Sequence, residues 1–250
     1  MASAFTHLFI SRPAPEAYEL AAMVKPLGLT AIVQPAFEYR PQRAHEADAD
    51  ACARLEAAGP GDLLVFTSPR AVEHGLPQFS RAVLTRPRLA AIGPATAAVL
   101  KAAGLPPTIT APDGYTSEAL LEILAAVPAG QAFIAAAPGG RDALLNGLAV
   151  QGWQVRMLMV YRAEPAPLDP EVSARLQSAD RLLSAWTSGN AMKALARRLP
   201  PAAWYAVCRG DWLVISERLA RLARAYGPGR VHQATGPGNA DLLRAIRDLG

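Results

Sequence analysis

Apolar positions along the chain gather into short unbroken runs, and each run gives way to a turn and then to a helical pattern. The plainest case is Leu63-Leu-Val-Phe66, followed by Thr67, Ser68 and Pro69. A run with no polar alternation suits a strand covered on both faces, as in a parallel sheet. Ser68 suits an N-cap, with Pro69 at the first helical position, where its missing N–H costs nothing. Such a turn leaves hydroxyls and backbone N–H groups at the carboxyl end of a strand. Open α/β sheets take their ligands there, and helix N-termini attract anions.

The same reading extends in both directions. It predicts a strand at 8–10 ending at Ser11, Arg12 and Pro13, a helix over 16–27 stopped by Gly28, a strand at 30–33 and extended backbone from Pro35 to Pro41. Helices are expected over 44–58, from Pro69 to about Val83, over 94–103 with Gly104 as its stop, and over 116–127 with Thr116 or Ser117 as its cap; a strand lies at 89–92. From Gln131 the pattern begins again, with a strand at 132–135, the turn Pro138-Gly-Gly-Arg141, a helix to Val150, Gly152 in the place of Gly28, and a strand over 155–161. The run 182–186 with Thr187 and Ser188 repeats 63–68, Ser188 standing 120 residues after Ser68. The stretch 205–207 is read as a strand repeating 89–92, and 236–242 repeats 115–120. Alternating strands and helices build parallel sheets, so the chain reads as two copies of one α/β unit.

Composition narrows the function. In 250 residues, 51% are hydrophobic and 18% charged, which suits real cores and argues against disorder. The net charge of +4 comes without a dense basic run, so nucleic acid is not expected as a partner and an acidic small molecule is the better use of dispersed arginines. Cys52 and Cys208 stand far apart and form neither a metal spacing nor a disulfide framework. The start, Met1 to His7, lacks the charged and apolar segments of a signal peptide, and no apolar run is long enough for a membrane span. A cytoplasmic protein is expected, with no membrane partner. No dinucleotide fingerprint, Walker loop, zinc-protease helix or nucleophile elbow is present. His7, His45, His74 and His232 are scattered and read as surface or satisfied histidines, so no metal and no covalent mechanism is expected.

Several motifs in order carry a resemblance. Phe66-Thr-Ser-Pro-Arg-Ala-Val-Glu73, Ile92-Gly-Pro-Ala-Thr-Ala-Ala98 with Leu100 and Gly104, Tyr115-Thr-Ser-Glu-Ala-Leu-Leu121 and Val160-Tyr161 resemble those of the uroporphyrinogen-III synthase family. The resemblance is clearest over 60–162. It implies an α/β fold of two similar parallel-sheet lobes (flavodoxin-like) joined by a two-stranded linker. It also implies that the first strand-helix-strand belongs with the C-terminal part. The expected domains are 1–37 plus 166–250 for lobe one and 40–160 for lobe two, with linker segments at 35–41 and 161–167, where Pro enforces extended backbone. The activity implied is closure of hydroxymethylbilane, a carboxylate-rich linear tetrapyrrole, to uroporphyrinogen III. Water is lost and the last pyrrole ring is inverted through a spiro intermediate, without a cofactor. The substrate closes unaided to the uninverted isomer, so the protein must chiefly fold it and assist the loss of water. A monomer is expected.

Each candidate residue has a functional and a structural reading. Tyr161, matching the family's tyrosine at the end of a strand, offers a phenol as general acid, or a packed ring that caps a carbonyl. Thr67, Ser68 and Thr96 offer hydroxyls to substrate carboxylates, or cap and brace helix starts. Ser188 is the repeat partner of Ser68 and carries the same pair of readings. Arg12 and Arg141 follow corresponding strands and either face the substrate or lie in solvent. Where family members repeat an Ile-Gly-Pro-Thr-Thr motif, this chain is read as having Val207-Cys-Arg-Gly-Asp-Trp212, with Arg209 in place of the threonine. That departure keeps open a non-catalytic bilobed binding or regulatory module. A periplasmic-type solute-binding protein is disfavoured by the absence of a signal peptide.

Overall fold

Short apolar runs covered on both faces do form strands. The computed structural model describes residues 4–111, 117–138 and 142–250. In chain order its strands are β1 (His7–Ile10), β2 (Thr30–Val33), β3 (Phe37–Pro41), β4 (Leu63–Phe66), β5 (Arg88–Ala91), β6 (Ile109–Thr110), β7 (Gln131–Ala136), β8 (Gln154–Met159), β9 (Tyr161–Pro165), β10 (Leu182–Trp186), β11 (Asp211–Val214) and β12 (Val231–Gln233). The chain divides into two compact units, Met1–Glu38 with Glu164–Gly250, and Tyr39–Ala163.

The first unit holds a five-stranded parallel sheet in the order β2-β1-β10-β11-β12. The second holds another, in the order β8-β7-β4-β5-β6. These are one topology entered at different strands: β7 and β8 take the places of β1 and β2, and β4 takes that of β10. This is the flavodoxin-like order, whose switch point lies between the first and third strands. It therefore falls between β1 and β10 in the first unit and between β7 and β4 in the second. Gly28 (φ 78°) and Gly152 (φ 89°) occupy equivalent left-handed positions before β2 and β8, where a side chain would be strained. Strands β3 and β9 form a separate two-stranded antiparallel ladder. It is flanked by hydrogen bonds from Gln42 N to Val160 O and from Ala166 N to Ala36 O.

Side-chain alternation sends each run to two cores. In the second unit Leu64 and Phe66 join Phe133, Val72 and Val160, while Leu63 and Val65 join Ile134, Leu120 and Leu144 on the opposite face. In the first unit Phe9, Trp186 and Trp212 are fully buried on one face, with Trp186 and Trp212 ring centroids 5.0 Å apart. Among the described residues no helix is long and apolar enough to cross a membrane.

Several predicted elements differ in the structure. The helix expected over 44–58 is two, Ala44–Ala47 and Ala49–Ala57, because Asp48 turns extended (φ −156°, ψ 92°) and caps the second by accepting from Ala51 N at 2.9 Å. The helix after Ser68 stops at Gly75 and tightens into a 3-10 turn, Leu76–Gln78, and Ser80 then caps a separate turn, Arg81–Leu84. Pro77 supplies no N–H to continue the α-helix. The strand expected over 155–161 ends at Met159, and Tyr161 instead opens β9. The stretch 205–207 is not a strand: it belongs to the helix Pro201–Arg209, and the fourth strand of the first unit is β11.

Candidate active site

The switch point of the second unit is braced by a hydroxyl. Thr67 follows β4, is 4% exposed, and donates from Oγ1 to Ala135 O of β7 at 2.9 Å. The next residue, Ser68, caps the helix Pro69–Gly75 by accepting from Ala71 N at 3.1 Å. Ser68 Oγ also lies 3.2 Å from Tyr161 Oη. A serine hydroxyl accepts and donates at once. Ser68 can therefore take the Ala71 N–H and give its own hydrogen to Tyr161, which leaves the phenol proton free for a ligand. Thr96, 2% exposed, stands in the first turn of the helix Pro94–Ala102, after the neighbouring strand β5. Thr67, Ser68 and Thr96 thus share the carboxyl end of one sheet, and Ser68 and Tyr161 are in direct contact.

Tyr161 is held on several sides. The residue is 9% exposed. His74 stacks on it with centroids 5.6 Å apart, and Tyr39 meets it edge-on, also at 5.6 Å. The Arg70 guanidinium lies 4.3 Å over the centroid of Tyr39, a cation–π arrangement on the ring that meets Tyr161 edge-on. The sequence reads His74 as a surface or satisfied histidine and singles out neither Tyr39 nor Arg70. The available signal was position: His74 and Arg70 lie on the helix capped by Ser68.

The first unit repeats the brace with its partners exchanged. There the hydroxyl comes from the strand equivalent to β7: Ser11, 2% exposed and following β1, donates to Ala185 O of β10 at 3.2 Å. Ser188 follows β10 and caps the helix Gly189–Arg198, accepting from Ala191 N at 3.4 Å. Arg12 donates to Pro237 O at 2.6 Å, in the turn before the helix Asn239–Asp248. Arg141 and the motif residues Tyr115 and Thr116 lie outside the described residues.

Arg209 does not stand where sequence reasoning put it. It ends the helix Pro201–Arg209, two residues before β11 begins, with its guanidinium 6.0 Å from the Tyr205 ring. That is the amino edge of the sheet, opposite Ser11 and Ser188. The turn at the carboxyl end of β11 carries Ser216 instead, which caps the helix Glu217–Arg224 by accepting from Leu219 N at 3.3 Å. A hydroxyl is therefore present at that turn. The cysteines offer no nucleophile of the usual kind, since burial pushes the thiols of Cys52 and Cys208 up, away from thiolate.

Comparison with known proteins agrees with this architecture. The family described as uroporphyrinogen-III synthase HemD matches residues 18–244. Uroporphyrinogen-III synthase of Escherichia coli (strain K12) is 31% identical over 252 residues, covering 96% of this chain and 99% of the relative. The Salmonella typhimurium enzyme of the same name is 30% identical over 257 residues, covering 96% and 99%. Among solved structures, a mutant uroporphyrinogen III synthase from the extremely thermophilic bacterium Thermus thermophilus aligns over 97% of this chain and 99% of its own, with a TM-score of 0.64 and 23% identity, a likeness of fold. The chain belongs to the uroporphyrinogen-III synthase family, the cyclising lyases of tetrapyrrole biosynthesis.

Proposed function

We propose that the chain closes hydroxymethylbilane to uroporphyrinogen III, with Tyr161 as the proton donor to the departing hydroxyl. The observation that carries the assignment of Tyr161 is its phenol, 3.2 Å from a capping serine hydroxyl at the carboxyl end of a parallel sheet. When the phenol gives its proton to the substrate hydroxyl, water leaves and negative charge develops on Tyr161 Oη. Ser68 donates to that oxygen while its own oxygen stays tied to Ala71 N, so the charge forms against a donor already in place. The closure joins the carbon that lost its hydroxyl to the last ring, inversion breaks one carbon–carbon bond of that ring and makes another at the neighbouring carbon, and the proton lost from the ring carbon balances the one that the phenol gave, so that water is the only species expelled. It is redox-neutral, and no step in this scheme calls for a cofactor.

The remaining assignments follow the same reasoning. Ser188, half-buried at a helix start, is proposed as a hydrogen-bond donor to a substrate carboxylate, while Ser68, half-buried at the equivalent start, gives its one hydrogen to Tyr161 and is proposed to meet the substrate through that phenol. Thr67 and Thr96 are nearly inaccessible and are proposed to set the shape of the turns that do so. Arg12, which donates to Pro237 O, is proposed to hold that turn where a substrate carboxylate would be met. A cytoplasmic monomer acting on a small tetrapyrrole, without nucleic acid, completes the reading. The non-catalytic alternative rested on a turn placed at 207–212, and that segment is the end of a helix and the start of β11.

Ser68→Ala is expected to lower turnover by roughly tenfold, the worth of one hydrogen bond to a developing charge. It should also lower stability by about 1 kcal/mol through the lost cap. Ser68→Thr should restore both. Steady-state kinetics with thermal unfolding checks this, and full activity in Ser68→Ala would remove Ser68 from the scheme.

A further inference from the structure

We propose that Gln78 is a positioning residue for Tyr161: one amide ties together the three backbone segments that place the phenol. This rests on the reading of Tyr161 as proton donor. Gln78 ends the 3-10 turn that follows the helix Pro69–Gly75. The two hydrogens of its Nε2 serve three carbonyls, one hydrogen being shared, with His74 O at 2.7 Å, Gln42 O at 3.0 Å and Val160 O at 3.2 Å, and its Oε1 accepts from Ala44 N at 2.8 Å. Val160 is the residue before Tyr161. His74 carries the ring stacked on Tyr161. Gln42 directly follows the strand that holds Tyr39, and its own N–H also meets Val160 O, at 3.0 Å.

The chemistry of the four contacts leaves one orientation for the amide. Three carbonyls require the NH₂ group and one N–H requires the oxygen, so a flipped side chain would lose every bond. Packing supports the same contact. A Cβ at Gly75 would lie 3.2 Å from the Phe66 ring and 3.4 Å from Val160 Cγ1, so this helix end presses closely on the residue preceding Tyr161. The phenol must meet a single departing hydroxyl, and a displacement of about 1 Å is enough to cost catalysis heavily.

The first unit supplies a control. Gln34, 1% exposed, grips backbone in a similar way, donating to Pro35 O at 3.0 Å and Pro167 O at 2.9 Å and accepting from Asp169 N at 2.8 Å. None of its partners carries Tyr161, Tyr39 or His74.

The test is a double-mutant cycle in the full chain, reading kcat, KM and thermal midpoint with hydroxymethylbilane as substrate. Gln78→Leu is expected to lower kcat by roughly tenfold with KM little changed, the scale of one misplaced hydrogen bond. In the Tyr161→Phe background the same substitution should lower kcat by less than about twofold, since residues acting as a unit are not additive. The midpoint should fall equally in both backgrounds, and Gln34→Leu should lower the midpoint without lowering kcat. If Gln78→Leu fails to fold, Gln78→Asn, shorter by one methylene, carries the same cycle. An equal loss of kcat in both backgrounds would overturn the proposal and leave Tyr161 in place. An unchanged kcat in Tyr161→Phe alone would overturn the proton-donor reading and Gln78's role with it.

Discussion

Tyr161→Phe is expected to lower turnover by roughly ten- to a thousand-fold while the thermal midpoint falls by only about 2–4 °C. The substitution keeps the ring, and with it the stacking on His74 and the edge contact with Tyr39. What it removes is one oxygen whose described partner is a serine hydroxyl. Ser68 keeps its bond to Ala71 N in the variant, so no group is stranded in an apolar interior and the stability cost stays near that of one ordinary hydrogen bond, about 1 kcal/mol. The lower end of the range is what a lost hydrogen bond to the leaving hydroxyl would give. The upper end is the modest range of general acid catalysis. Rapid-quench measurement of product formation, beside differential scanning calorimetry, reads both quantities. Wild-type turnover in the variant would reduce Tyr161 to a packed tyrosine.

The second large effect is on the product isomer. Substrate released before closure cyclises in solution to the type I isomer, so the type I share reports how often bound substrate escapes. Thr67→Val with Ser68→Ala removes the brace to Ala135 O and the donor beside Tyr161 together. Slower closure at a loosened turn should raise the type I share severalfold, in line with a tenfold or larger loss of closure rate. Each lost hydrogen bond costs about 1 kcal/mol of stability, and a folded variant is expected. Arg209→Ala should leave the isomer ratio at the wild-type value, because Arg209 stands at the amino edge of its sheet. A type I share that rises in Arg209→Ala and stays constant in the double variant would reverse the assignment of the two edges.

How far the sequence could be read depended on what each residue's signal encodes. Leu63 to Phe66 is an unbroken apolar run and Leu182 to Trp186 is broken only by Ser184, and the turn residues that follow each of them at Thr67-Ser68 and Thr187-Ser188 mark them as strands buried on both faces. Gly28 and Gly152 marked equivalent turns because each needs a left-handed backbone. Tyr205 to Val207 misled because a short apolar run does not distinguish strand from helix. The better signals lay beside it: Pro201 at a first helical position, and Ala203 and Val207 buried four residues apart. Displacing that strand displaced the following turn, which made a hydroxyl look absent when Ser216 supplies it.

The candidate site was legible only where chemistry is local. Ser68 followed from its place between a strand and a proline, and its cap is formed as expected. The contact of Ser68 with Tyr161 joins residues 93 apart, and Gln78 meets Val160 across 82. No periodicity encodes such pairs. They arise because β4 and β7 are neighbours in the sheet, which brings the chain leaving β8 past the helix that follows β4.

The most direct measurement is incubation of the purified wild-type protein with hydroxymethylbilane, followed by oxidation of the products and chromatographic separation of the isomers. Ring inversion is the one outcome that the unaided reaction does not supply. Type III should predominate, with a yield that rises with protein concentration until the unaided closure is outrun. An isomer mixture indistinguishable from the protein-free control would contradict the proposed activity.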